Sequence, residues 1–270
     1  MVENVKNKLL NIKTFFTGSQ IPKISLEEIQ VTLECFKKTL FPGVFHEIDN
    51  NELAQILDEQ LNQLRQNLVK TIITFGYSSE ESNTLSSNII LELPRLKEAL
   101  MKDIDAIYNG DPAALSHEEV VLAYPSFEAI MTYRIAHTLT QQELNLFARM
   151  CTSIAHRNTG IDIHPKAQIG ESFCIDHGTA IVIGETSVIG NNVKMYQGVT
   201  IGALSVSKSQ ENKKRHPTIE DNVTIYARTT ILGGKTIVGK NSIIGGNVWL
   251  TKSVPENSKI YNKDFKIEHS

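Results

Sequence analysis

The side chains best suited to chemistry in this 270-residue chain fall in short, separated stretches: Asp111-Pro112, Asp162-Ile163-His164-Pro165, Asp176-His177-Gly178-Thr179 and Arg215-His216-Pro217. Histidine titrates nearest neutrality and is the natural group to take the proton of an alcohol, a poor nucleophile at that pH. His177 interrupts an otherwise regular repeat, where a side chain can leave the packed face; a loop histidine taken alone is more often structural. Arg215 ends a polar, basic stretch from Ser205 that also holds Lys208, Lys213 and Lys214 and reads as an exposed loop. A solvated charge is its plain reading. Asp111 lies in the Gly- and Pro-marked segment Tyr108-Asn109-Gly110-Asp111-Pro112-Ala113-Ala114, where turn capping is the plain role. Cys174 precedes His177 inside the repeat, where a small apolar side chain packs.

Composition bounds what such groups can serve. With 41% apolar and 21% charged residues the chain can bury a core, as one large domain or two modest ones. A net charge of −3, from 27 basic and 30 acidic residues, gives no global attraction for nucleic acid, so any anion site is a local patch. No apolar run reaches the roughly 18 to 20 residues of a bilayer span, and Met1 to Lys13 lacks a secretory pattern. A cytoplasmic protein is expected, without a membrane partner. Cys35, Cys151 and Cys174 are odd in number and form no CxxC or CxxH pair, so they read as reduced, structural thiols and no metal is expected.

Two halves of different period must position these residues. Up to about Asn158 the period is helical. Ser25 with Glu28 forms a capping box that opens a helix from Ser25 to Leu40, with Leu26, Ile29, Leu33, Phe36 and Leu40 on one stripe. Leu53, Leu57, Leu61, Leu64 and Leu68 have heptad-like spacing, the pattern of a helix packed on a partner helix and a candidate oligomer contact. Further helical stretches are expected near Ile89 to Ile107 and from Phe127 to Ile154, with Ser116 and Glu119 as another capping box between them. Residues 1–158 therefore read as an all-α domain.

From Ile161 the period is six. Ile163, Ile169 and Ile175 form one series, Ile183, Ile189, Met195 and Ile201 a second, and Ile219, Ile225, Ile231, Ile237, Ile243 and Trp249 a third. Units this short bury their aliphatic residues only by stacking coil on coil into a parallel β-helix. The breaks in period fall at Asp176-His177-Gly178-Thr179 and between Ile201 and Ile219, and a solenoid extrudes such extra residues from one face. The reading is an α+β chain: helices over 1–158, a β-helix over 159–255 with a loop extruded at about 203–217, and a tail over 256–270.

These motifs, with Tyr133-Arg134-Ile135-Ala136-His137, cover most of the chain from Asp111 to Pro255 and resemble serine O-acetyltransferase, a family of hexapeptide-repeat acyltransferases. The repeat alone implies the fold and a broad acyltransferase class. The Asp-His-Gly-Thr block, the helical half and the Arg-His-Pro triplet make the resemblance specific to serine. A left-handed coil comes from the resemblance, since general crossover rules give the opposite hand.

The resemblance implies direct acetyl transfer from acetyl-CoA to L-serine in a ternary complex, through a tetrahedral intermediate and without an acyl-enzyme. The products are O-acetyl-L-serine and CoA, the first step of cysteine biosynthesis from serine, with L-cysteine as a feedback inhibitor at the serine site. It assigns His177 as base and Asp162 as the carboxylate that fixes its tautomer, Arg215 and His216 to the substrate carboxylate, and Asp111 and Asp176 to its amino end. It sets these in a groove between neighbouring solenoids of a homotrimer, alone or as a dimer of trimers. Gly202, Ala203, Ala227, Gly245 and Gly246 are expected along the CoA arm, with Lys252 and Lys266 toward its phosphates.

The chain departs from the family pattern at Tyr226 and Arg228, which flank Ala227 where small residues are usual, and at Asn247, where glycine is usual. The segment Tyr261 to Lys266 and the end at Ser270 lack the isoleucine-ended tail that docks into O-acetylserine sulfhydrylase, so that complex is not expected. Competing readings are a sibling acetyltransferase using homoserine or a sugar hydroxyl, a γ-type carbonic anhydrase and a non-catalytic scaffold. The anhydrase needs three zinc histidines, and Val182 stands where the second of its usual pair would follow His177. The full set of candidate residues argues against a scaffold.

Overall fold

The structure, a computed structural model, describes residues 24–45, 52–204 and 213–262, with Val2, Val5 and Lys6. Its helices are α1 (Leu26–Leu40), α2 (Pro42–Phe45), α3 (Leu53–Thr74), α4 (Ser79–Leu91), α5 (Leu93–Gly110), α6 (His117–Ala123), α7 (Pro125–Gln141) and α8 (Asn145–Thr159). Ser25 and Glu28 form the expected box: Ser25 Oγ accepts from the Glu28 amide at 3.2 Å and the Glu28 carboxylate from the Ser25 amide at 2.9 Å. Among the described residues no helix is long and apolar enough to cross a membrane.

Several helical expectations are corrected. The stretch Ile89 to Ile107 is two helices meeting at Glu92, because Pro94 fits the first turn of α5, where its missing N–H costs nothing. Phe127 to Ile154 is also two, broken between Gln141 and Asn145 where Glu143 takes φ 60°. Ser116 caps α6 at the Glu119 amide, but the Glu119 carboxylate turns to the Leu115 amide at 2.6 Å, so the box is not reciprocal. On α3, Leu64 and Leu68 are buried within this chain's own core and Leu53 is exposed; Thr71 on the same helix meets Thr32 of α1 at 3.2 Å.

The second half is a solenoid of short parallel strands. The first coils hold β1 (Asp162–Ile163), β2 (Gln168–Ile169), β3 (Cys174–Asp176), β4 (Val182–Ile183), β5 (Val188–Ile189), β6 (Lys194–Tyr196) and β7 (Thr200–Gly202). Then come β8 (Thr218–Ile219), β9 (Thr224–Ile225), β10 (Thr230–Leu232), β11 (Ile237–Val238), β12 (Ile243–Ile244), β13 (Trp249–Leu250) and β14 (Lys259–Ile260). They form three sheets, ordered β1-β4-β7-β10-β13, β11-β8-β5-β2 and β14-β12-β9-β6-β3. Aliphatic ladders fill the inside: Ile163 pairs with Ile183, Ile183 with Ile201 and Ile201 with Ile231.

The six-residue register slips by one after Ile231. Ile219 pairs with Val238, Ile225 with Ile244 and Ile231 with Leu250, so Val238 and Ile244 point inward while Ile237 and Trp249 are exposed. The expected series Ile237, Ile243 and Trp249 is therefore the outward row. The extra residue is absorbed in the Gly233-Gly234 turn. Gly233 takes φ 101°, and a Cβ on Gly234 would stand 2.2 Å from the Lys214 carbonyl oxygen, so the position must lack a side chain.

Two corners flank the first sheet. The leading corner, where the chain enters it, stacks residues 177–180 on 197–198, 227–228 and 246–247 through Gly198 N–H to Thr179 O, Arg228 N–H to Gln197 O and Asn247 N–H to Ala227 O. The trailing corner, where the chain leaves it, holds residues 184–187 with 214–217 against them.

Candidate active site

The leading corner gathers acidic and basic groups from both halves. Asp111 follows α5; its Oδ1 accepts from the Ala113 amide at 2.9 Å and its Oδ2 from the Tyr124 hydroxyl at 2.8 Å. These bonds, with His177 and Lys194 nearby, hold its carboxyl below the usual range, and the same carboxylate pushes the Tyr124 hydroxyl up to about 12. Asp111 thus caps its turn and also stands beside the solenoid. Asp176, at the end of β3, lies 3.0 Å from Lys194 Nζ and 3.7 Å from His177 Nε2.

His177 opens the irregular turn at φ 57°, with its side chain 74% exposed. The turn lies flat on Gly160-Ile161: the Ala180 amide donates to Gly160 O at 2.8 Å, and a Cβ on Gly178 would meet Ile161 Cδ1 at 2.5 Å. That sets His177 over the residues just before Asp162, which begins β1 in register with Val182. Within one chain the Asp162 carboxylate is 3.8 Å from Arg149 and 4.0 Å from His156, and among the described residues the carboxylate within 4 Å of His177 is Asp176. Cys174 is buried and its thiol is pushed up to about 12 by burial, so it stays protonated and packs, as expected.

The trailing corner is built around Thr186. Its amide donates to His216 Nδ1 at 3.0 Å, and its hydroxyl oxygen accepts from the Arg215 and His216 amides at 2.9 and 3.1 Å. Because an amide N–H can only donate, Nδ1 is the acceptor and the ring proton sits on Nε2. Burial, then the charges of Arg215 and Lys214, push this imidazole down to about 4. It is a neutral donor at physiological pH. The Arg215 guanidinium donates to the Glu185 carboxylate, which also lies 3.8 Å from Lys166. His164 is pushed down to about 4 as well, first by burial and then by Arg149.

The candidate CoA residues divide in the same way. Ala227, Gly245 and Gly246 lie on the leading corner, whereas Gly202, Ala203 and Lys252 fall toward the trailing one; Lys266 and residues 205–212 lie outside the described residues. A Cβ on Gly246 would come 3.2 Å from the Ala227 carbonyl oxygen, a tight approach, and at Gly245 Tyr261 Cδ1 already stands 2.6 Å from the Cβ position. Tyr226 and Arg228 are both exposed beside Ala227, and Tyr226 stacks on Tyr196 at 4.9 Å.

Lys194, Tyr124, Glu185 and Thr186 were not assigned roles from the sequence. Lys194 could have been found by stacking coils, since its strand pairs with that of Asp176. Tyr124 could not, because only the helical packing brings it to Asp111. The corners lie at opposite ends of the first sheet, so one chain presents two clusters: an exposed imidazole with carboxylates at one, and a guanidinium with a neutral imidazole donor at the other.

No protein-family model matches the chain. A plasmid serine acetyltransferase of Synechococcus elongatus is 42% identical over 270 residues, covering 92% of this chain and 84% of that protein. The chain belongs to the serine acetyltransferase family. Among solved structures, serine acetyltransferase isoform 3 of Entamoeba histolytica, in complex with cysteine, matches with a TM-score of 0.79 and 30% identity over 99% of this chain and 92% of that one. A serine acetyltransferase in complex with CoA matches with a TM-score of 0.61 and 29% identity over 87% of this chain and 94% of that one.

Proposed function

We propose that this family member transfers the acetyl group of acetyl-CoA to the hydroxyl of L-serine. The observation that carries the reading is the meeting of Asp111, from the helical half, with Asp176 and His177 at one solenoid corner. His177 takes the serine hydroxyl proton as the oxygen attacks the thioester carbonyl. The C–S bond then breaks, and the departing CoA sulfur receives the proton from the imidazolium. The family resemblance assigns Asp162 to steady that imidazolium, although within one chain its carboxylate faces Arg149 and His156 and the carboxylate beside His177 is Asp176. Asp111 and Asp176 take the substrate ammonium, while Arg215 and the Nε2–H of His216 take its carboxylate.

The separation of the two clusters supports a groove shared between neighbouring solenoids of a homotrimer, in which the leading corner of one chain faces the trailing corner of the next. CoA would run from His177 along Ala227 and Gly246, small residues that are partly exposed on the leading corner. L-cysteine, bound by the Entamoeba relative, is an inhibitor at the same site.

Thiol release from acetyl-CoA tests this with L-serine, L-homoserine or no acceptor. Release that requires L-serine supports the proposal. Release only with homoserine moves the substrate to the sibling class, and no release from folded protein overturns the enzymatic reading.

A further inference from the structure

Lys194 has no part in the reaction described above, yet it lies at its centre. From β6 its Nζ donates to the Gly110 carbonyl at 2.6 Å, approaches Asp176 Oδ2 at 3.0 Å and lies 4.7 Å above the Tyr196 ring. The side chain is 21% exposed. Gly110 is the last residue of α5, where unpaired carbonyls gather the negative end of the helix dipole and favour a cation. The approach is close: a Cβ on Gly110 would stand 2.9 Å from Cys174 Sγ and 3.6 Å from Lys194 Nζ. The next residue is Asp111.

The two carboxylates at this corner are compensated differently. Asp176 faces the ammonium of Lys194. Asp111 accepts from neutral donors, the Ala113 amide and the Tyr124 hydroxyl, with no cation within 4 Å of it among the described residues. Of the two carboxylates assigned to the substrate ammonium, Asp111 is therefore the one held by neutral donors alone, and the backbone just before it is tied to the solenoid by Lys194.

We propose that Lys194 is a positioning residue: by joining the Gly110 carbonyl to Asp176 it fixes Asp111 where the amino group of the substrate docks. The inference rests on the reading of Asp111 as an amino-end ligand. A loosened Gly110-Asp111 segment should weaken L-serine binding while leaving the base and the thioester site as they are.

The test is steady-state thiol release by wild type, Lys194→Met, Lys194→Arg, Asp111→Asn and the Lys194→Met/Asp111→Asn double variant. Lys194→Met should raise KM for L-serine about tenfold, with kcat and KM for acetyl-CoA within about twofold of wild type. Lys194→Arg, which keeps a cation at the junction, should recover most of the loss. In the double variant the penalties should not multiply, because the placement of residue 111 no longer matters to the ammonium once its charge is gone. Lys194→Gln replaces the Met variant if the latter does not fold. An unchanged or lowered KM for L-serine, fully independent penalties, or a fall in kcat accompanied by a lowered melting temperature would each overturn the inference while leaving the function standing. Wild type that releases no thiol in response to L-serine would overturn both.

Discussion

The imidazole of His216 fills the space above the α-carbon of Gly184: a Cβ built on that glycine would stand 2.1 Å from both Cδ2 and Nε2 of the ring. Residue 184 must therefore lack a side chain for the donor to reach its place at the trailing corner. In Gly184→Ala the ring, tethered at Nδ1 by Thr186, has to swing outward and carry Nε2 away. A displacement of about 1 Å at a substrate-positioning group costs roughly a hundredfold, so kcat/KM for L-serine should fall by that order. The melting temperature should fall as well, since overpacking a close contact typically costs about 1 to 3 kcal/mol, so the rates are compared at a temperature where both proteins are folded. Wild-type activity in this variant would mean that the ring's position is not used.

His177 is solvent-facing and makes no contact on which folding depends, so its replacement isolates chemistry from stability. Asparagine tolerates the positive φ of this residue better than alanine and serves as the test substitution. His177→Asn should lower kcat by about 10² to 10⁴ through loss of general base catalysis, with KM for L-serine nearly unchanged. Rapid-quench measurement of a single turnover would show whether the transfer step itself has slowed. A variant with wild-type kcat removes His177 from the role of base.

Two histidines, His164 half-buried and His216 buried, give the fold a defined response to acid. His164 and His216 are pushed from 6.5 down to about 4, chiefly by burial. As pH falls through 6.5 the unfolded chain takes up protons that the folded chain refuses until about 4, so the unfolded state binds more protons in that window. Their contribution to stability is complete above 6.5 and is lost progressively toward 4. The melting temperature should decline across this range, and the decline should be shallower in His216→Asn. A slope identical in both proteins would contradict the burial argument. Because His216 is neutral through this range, it should add no acidic limb near 6.5 to the rate profile.

Much of this architecture was legible in the sequence because a solenoid writes its period into every coil. The inward isoleucines from Ile163 to Ile231 follow directly from spacing. The period could not reveal the one-residue slip at Gly233-Gly234, since Ile237-Val238 and Ile243-Ile244 offer an apolar residue at either register and only the pairing decides which faces inward. Helix ends were legible where a side chain caps them, as at Ser25, and illegible where continuous apolar spacing ran across Glu92 or Gln142. At the site, His177 and Asp176 announced themselves by breaking the repeat. Tyr124 did not, because only packing within the helical half brings it to Asp111, and the bond of Lys194 to the Gly110 carbonyl arises from contact between the two halves, which local pattern does not encode.

That contact has its own internal support, and it explains the Tyr133-Arg134-Ile135-Ala136-His137 motif. Tyr133 donates to the Ala167 carbonyl at 2.7 Å, His137 Nδ1 meets the Pro165 carbonyl at 2.8 Å, and Arg134 Nη2 donates to the Gly170 carbonyl at 2.8 Å, so one face of α7 satisfies the first solenoid coil. Arg134 also makes a two-point pair with Asp103 of α5, a fully buried carboxylate that accepts from the Phe173 amide at 2.9 Å. Removing one member of a buried pair strands the other charge, which typically costs about 3 to 5 kcal/mol. Asp103→Ala should therefore lower the unfolding free energy by about that amount in urea denaturation. The double variant Asp103→Leu/Arg134→Met, which strands no charge, should be less destabilised than the single one. If instead the double variant shows the sum of both single losses, the cost lies in the carbonyl contacts of Arg134, and the ion pair contributes nothing of its own.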